Sequence, residues 1–147
     1  MNDPDPRGER SLLLDTHVLV WLMGGEPRLG PKARAAIRTA GQRQKLLISA
    51  ITPWEVALLV SKKRIEVYRD VMEWVCDALA TPGASLAPLE PEIAVACARL
   101  PWEMHADPAD RILVATARHL GARLVTADSA LLEMARKGNF KAMDATA

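Results

Sequence analysis

Residues 11 to 25 read SLLLDTHVLVWLMGG. The run 11–14 carries Leu12, Leu13 and Leu14 in succession, without the polar–apolar alternation of a half-exposed strand. Such a run suits a strand covered on both faces, which is the signature of a parallel sheet. Asp15 ends the run, and THVLVWLM continues at helical spacing until Gly24 and Gly25 stop it. A buried strand leading through one acidic residue into a helix is the opening unit of an α/β fold.

The same alternation continues outward from this unit. Pro31 opens a helix over KARAAIRTAGQRQ that places Ala33, Ala36, Ile37 and Ala40 on one face, and KLLIS at 45–49 is a second strand. Thr52-Pro53-Trp54-Glu55 opens a helix running through VALLVSKK. Another helix runs from Tyr68 to Ala80, with Val71, Met72, Val75 and Leu79 inward. ASLAPL at 84–89 contains a short strand, Pro91 begins the helix PEIAVACARL, and ADPADRILVATARHLG is a helix ended by Gly121. ARLVTA at 122–127 is a strong strand, SALLEMARKG a last helix, and an edge strand is expected near Phe140 to Met143. This order predicts one α/β domain over residues 11–147, a parallel sheet of four to five strands with helices on both faces. Residues 1–10, MNDPDPRGER, read as a frayed tail.

Composition narrows the function classes. With 147 residues, 50% hydrophobic and 25% charged, the chain is long enough for one buried core and is neither disordered nor membrane-like. Its apolar runs fall far short of a membrane span, and its first residues lack the apolar middle of a secretory signal, so a cytoplasmic protein is expected. The net charge of +1 is no footprint for nucleic acid, and only a local patch could supply one. Arg34, Arg38, Arg43 and Lys45, and likewise Lys62, Lys63 and Arg64, read first as solvated helix faces. Cys76 and Cys97, without CxxC spacing, are expected as two buried free thiols. Trp21, Trp54, Trp74 and Trp102 lie in apolar patterns and are expected in the core or at partner interfaces.

Ligands of open parallel sheets bind beyond the carboxyl ends of the strands. Four acids fall there: Asp15, Glu55, Asp128, and Asp110 in the first turn of the helix preceding the fourth strand. Each has a structural reading. Thr52-Pro53-Trp54-Glu55 has the form of a capping box, Asp107-Pro108-Ala109-Asp110 shares its grammar, and Asp15 and Asp128 could cap the helices they precede. A cap contributes about 1 kcal/mol. Carboxylates gathered about 6 Å apart would repel by about 3 kcal/mol per pair at an effective dielectric of about 20. Four acids at one edge therefore call for a divalent cation, and an all-oxygen set favours Mg²⁺ or Mn²⁺ over zinc. Such a site suits phosphodiester hydrolysis by activated water. Asp107, followed by Pro108, is the expected helix cap, and Asp110 the expected ligand.

The segments LLLDTHVLVWL (12–22), ISAITPWEVALLVSKKRIEV (48–67) and LPWEMHADPADRILVATARHLGARLVTAD (100–128), with the spacing among them, resemble the PIN-domain ribonucleases, specifically the VapC toxins of type II toxin–antitoxin systems. The resemblance covers about residues 11 to 135. Carried over, it implies Asp15 as first metal ligand with Thr16 as supporting hydroxyl, Glu55 as second acid, Asp110 as third and Asp128 as fourth, with Thr126 a further supporting hydroxyl. It implies endonucleolytic cleavage of RNA (a tRNA, rRNA or mRNA) to 5′-phosphate and 3′-hydroxyl ends, growth inhibition, a homodimer and a cognate antitoxin. His17 stands where the family often has a small polar residue. Two other readings compete: a non-catalytic PIN-like module that only binds a partner, and an aspartate-nucleophile phosphatase. The latter needs a second acid two residues past Asp15, where this chain has His17. His105, His119 and Arg111 read as loop, helix-end and surface residues.

Overall fold

Leu12, Leu13 and Leu14 are all buried, as a central strand requires. The computed structural model describes residues 10–104 and 107–147. Among these residues the chain runs β1 (Leu12–Leu14), α1 (Thr16–Gly24), α2 (Pro31–Gln42), β2 (Leu46–Ser49), α3 (Thr52–Ser61) and α4 (Val71–Leu79). It continues through β3 (Ala84–Ala87), α5 (Pro91–Ala98), α6 (Pro108–Leu120), β4 (Arg123–Thr126), α7 (Ser129–Arg136) and β5 (Lys141–Asp144). The sheet has five strands in the order β3-β2-β1-β4-β5, every pair parallel. Parallel neighbours need long crossovers, and the helices supply them.

The pleat sorts the core into two halves. Leu12, Leu14, Leu46, Ile48 and Val125 face one side, packed with Val18, Leu19, Ile37, Val56, Trp74 and Val75 from α1 to α4. Leu13 and Leu124 face the other, packed with Leu113, Val114 and Ala117 of α6 and Leu131 and Ala135 of α7. Successive side chains point to opposite faces, so one three-residue strand feeds both cores. From β1 the chain steps outward to β2 and β3, then crosses back to β4 on the opposite side of β1. The boundary between β1 and β4 is therefore the switch point of the sheet, where a crevice opens at the strands' carboxyl ends.

Two glycines close the structure where a side chain would collide. Gly83 adopts φ +77°, and a Cβ there would lie 1.7 Å from the Gly41 carbonyl oxygen. At Gly30 a Cβ would lie 2.0 Å from the Ala147 carbonyl oxygen, which accepts from the amides of Lys32 and Ala33 at the start of α2.

Several sequence expectations need correction. Helix α3 ends at Ser61 rather than continuing through Lys63, which has φ 56°. Helix α4 starts only at Val71, where the Asp70 carboxylate accepts from the Met72 amide. That register turns Trp74, Val75 and Ala78 inward, leaves Met72 63% exposed and sets Cys76 on the open face. Cys97 is half-buried, so neither thiol is a core residue. Of the tryptophans only Trp74 is buried, whereas Trp54 is exposed. Trp21 and Trp102 are half-buried beneath the guanidinium groups of Arg28 and Arg118, each 4.8 Å from the ring centroid. Arg34 is not a free surface cation, since its guanidinium donates to the Leu29 and Glu26 carbonyls. The expected tail falls outside the described residues except for Arg10. Among the described residues no helix is long and apolar enough to cross a membrane.

Candidate active site

Asp15 is held by its backbone at the switch point. Its amide donates to the Val125 carbonyl of β4 at 3.0 Å, and its carbonyl accepts from the Leu19 amide at 3.0 Å, so it is both the last rung of β1 and the residue before α1. Its side chain makes no capping bond to that helix. Instead the buried carboxylate accepts from the Thr126 hydroxyl, with Oγ1 2.6 Å from Oδ2. The Thr126 hydroxyl in turn accepts from the Asp128 amide at 3.1 Å. Burial raises the pKa of Asp15 above its ordinary value, the Thr126 bond, His17 and the Thr16 amide oppose that rise, and the charge of Asp128 adds to it.

Glu55 stands in the first turn of α3, half-buried. The capping-box expectation fails here: α3 has no side-chain cap, and Thr52 is already inside the helix because Ile51 before it is helical (φ −77°, ψ −23°). The Thr52 hydroxyl pairs with that of Thr16 at 3.3 Å. Glu55 Oε1 is buried, with no hydrogen-bond partner among the described residues. Burial pushes the Glu55 pKa up, a hydrogen bond from Thr16 pulls it down, and the charges of Asp15, Asp107 and Asp110 push it up again. A buried polar atom left without a partner costs about 1–3 kcal/mol, so the stability of the fold alone does not account for it.

At the start of α6 the cap is where the sequence places it. Asp107 Oδ1 accepts from the amides of Ala109 at 2.9 Å and Asp110 at 3.3 Å, and Pro108 takes the first helical position. Asp110 is half-buried in the first turn. Asp128 is exposed and caps α7 through the Leu131 amide at 3.0 Å. Arg111 NH1 donates to the Met104 carbonyl at 3.2 Å, tying the preceding loop to α6. His17 is exposed, His119 lies in the last turn of α6, and His105 lies outside the described residues.

Electrostatically these carboxylates form one group, since Asp15, Asp107 and Asp110 all act on Glu55 and Asp128 acts on Asp15. Among the described residues no three His, Cys, Asp or Glu side chains are drawn together as the closed ligand shell of one ion. Mg²⁺ does not need such a shell, because it takes one or two carboxylates and keeps several waters. The donor set is all oxygen, neighbouring carboxylates raise the proton affinities of Asp15 and Glu55, and among the described residues one buried carboxylate oxygen has no hydrogen-bond partner. These residues fit a hard divalent cation. Sequence reasoning placed Asp107 as a helix cap beside the site, and missed Thr52 as a partner of Thr16 because capping grammar accounted for it.

The chain is a parallel α/β domain with acids at the carboxyl edge of its sheet, and it belongs to the PIN-domain family, whose pattern matches residues 12–137. Over 124 residues it is 35% identical to Ribonuclease VapC22 of Mycobacterium tuberculosis (strain ATCC 25618 / H37Rv), a match covering 82% of this chain and 89% of that protein. The fold is also similar to that of VapBC2 from Rickettsia felis bound to a DNA fragment from their promoter (TM-score 0.63, 13% identity, 90% of this chain and 96% of that one). A toxin–antitoxin complex from Klebsiella pneumoniae has TM-score 0.60 at 21% identity, covering 92% of this chain and 98% of that one.

Proposed function

We propose that the protein is a metal-dependent endoribonuclease, the toxin of a toxin–antitoxin pair. The Oε1 of Glu55, buried in the field of Asp15, Asp107 and Asp110 and without a hydrogen-bond partner among the described residues, is the observation that carries this reading. Membership of the PIN family and the similarity to a named ribonuclease give it a reaction class.

In this reading Asp15, Glu55, Asp110 and Asp128 hold Mg²⁺ or Mn²⁺. The bound cation supplies acidified water and neutralises charge developing on the phosphate. The protein's own groups do the rest. The amino ends of α1, α3 and α7, each two or three residues past a strand, turn their partial positive charge toward the incoming phosphate. Thr126 and Thr16 orient the carboxylates of Asp15 and Glu55. Glu55, whose buried Oε1 has no hydrogen-bond partner among the described residues, would serve beside Asp15 as a ligand of that ion. Water adds to phosphorus, the bond to the 3′-oxygen breaks, and a proton returns to that oxygen, leaving 5′-phosphate and 3′-hydroxyl ends.

The biological setting follows as part of the same proposal: RNA as substrate, growth inhibition on expression, a cognate antitoxin, a homodimer and a cytoplasmic location. Exposed Trp54, Leu86, Leu89 and Val95 give protein partners apolar surface to cover. The test is purified protein with RNA and Mn²⁺, with and without chelator, followed by sequencing of the RNA ends. Cleavage that depends on the ion and leaves 5′-phosphates supports the reading. Cleavage that persists in chelator and in Asp110→Asn removes it.

A further inference from the structure

Trp54 is treated by the fold unlike the other tryptophans. Trp74 is buried, and Trp21 and Trp102 are half-buried beneath guanidinium groups. Trp54 is 51% exposed, and among the described residues its indole has no hydrogen bond, stacked ring or cation against it.

Its place in the fold gives the open ring a use. Trp54 is the third residue of α3 and directly precedes Glu55, so its Cα lies about 3.8 Å from that of the acid. Helix α3 starts three residues past β2, at the carboxyl edge of the sheet where Asp15 also stands. The indole is therefore carried at the rim of the acidic site. Three and seven residues on, Ala57 and Ser61 are exposed and small, so the ring stands out from its stripe of the helix. Helix formation does not ask for an indole here, because alanine or glutamate would serve a solvent-facing position better.

The charge of the site decides which part of a nucleotide would meet the ring. Asp15, Glu55 and Asp128 lie at this edge, and a bound ion would offset their charge at one phosphate only. Phosphates on either side of that one meet carboxylates, so a strand passing the site is better held through its bases. Stacking needs only a flat apolar face and involves no charge. Single-stranded RNA is held in this manner, with its unstacked bases laid on aromatic side chains.

We propose that Trp54 is a base-stacking platform for a nucleotide next to the scissile phosphate, seating single-stranded RNA at the acidic site. This rests on the reading of the protein as an RNA endonuclease. The stack places the strand without reading its sequence, since every base has a π-face. A protein partner that covers Trp54 would take the seat of the base, so it and RNA would compete for the ring.

The experiment is steady-state cleavage, in Mn²⁺, of a short single-stranded RNA spanning the bond that end sequencing identifies, with circular dichroism as the check on folding. Trp54→Ala should raise KM about tenfold while kcat falls by less, whereas Trp54→Phe, which keeps a π-face, should stay within about threefold of the parent. Abasic nucleotides introduced one at a time locate the stack. At one position beside the cleaved bond the parent should lose about tenfold, and there Trp54→Ala should lose nothing more. An unchanged KM in folded Trp54→Ala overturns the inference and leaves the ring to a protein partner. An equal rise in Trp54→Phe also overturns it, as do losses that multiply at every abasic position. If Trp54→Ala does not fold, Trp54→Leu, apolar but without a π-face, decides: a tenfold rise in KM supports the role and an unchanged KM refutes it. A parent that cleaves no RNA removes the endonuclease reading as well, whereas a cleaving parent with an unaffected Trp54→Ala removes this inference alone.

Discussion

Helices α3 and α6 open with nearly the same phrase, Thr52-Pro53-Trp54-Glu55 and Asp107-Pro108-Ala109-Asp110, and use it in different ways. In α6 the first residue stands outside the helix in extended conformation, so its carboxylate reaches two free amides. In α3 the helical turn begins one residue earlier, at Ile51, whose amide donates to the Ser49 hydroxyl at 3.1 Å. Thr52 is thereby drawn inside, its hydroxyl turns to Thr16, and Glu55 is left with no capping duty. One residue of register separates a helix cap from a buried hydroxyl paired with Thr16, and it leaves the acid of α3 without a capping role.

The sharpest way to break this comparison is to remove the fourth residue of each phrase. Glu55→Gln and Asp110→Asn should each lower ion-dependent RNA cleavage by more than about a hundredfold, beyond the usual effect of outer-shell changes. Their melting temperatures should stay level or rise, since each relieves repulsion in a shared negative field. A variant that cleaves normally but melts early would return that acid to a structural role.

Removal of the first residue should have the smaller and opposite signature. Asp107→Ala is expected to lose about 1 kcal/mol of stability in urea denaturation, and cleavage should fall only as far as the displaced first turn moves Asp110. The same urea experiment on Asp128→Asn sharpens the point, because asparagine caps about as well as aspartate. Its stability should remain within about 0.5 kcal/mol of the parent while cleavage declines.

A subtler difference lies in pH. The pKa values of Glu55 and Asp15 are raised in the folded protein, chiefly by burial, so their contribution to stability is complete at low pH and is lost as pH rises through the folded values. Without metal, the stability advantage of Glu55→Gln over the parent should therefore vanish near about pH 4 and widen toward neutrality. Saturating Mn²⁺ should narrow it again by stabilising the parent. A gap that widens toward acid would contradict the burial argument.

Much of this was legible in residue order. Apolar runs marked β1, β2 and β4, and helical period marked the seven helices among the described residues within a few positions, because backbone period and burial follow from local pattern; the edge strands β3 and β5 carry no such run and were only loosely placed. Pro108 and Gly121 bounded α6 as their backbone preferences dictate. Asp15 and Asp128 could be placed beyond strand ends for the same reason. The exposed Cys76 and Met72 could not, since the apolar pattern of residues 68–80 allows more than one inward stripe, and packing on the sheet chose the one through Trp74, Val75 and Ala78.

By itself, then, the sequence determined the element order, the parallel sheet and the set of acids that can meet at its carboxyl edge. Only the tertiary structure decided which acids are caps and which are not, and that a threonine 36 positions away lies behind Thr16. Pattern along a chain encodes local conformation, but a hydroxyl chooses its partner from whatever the fold brings within about 3 Å.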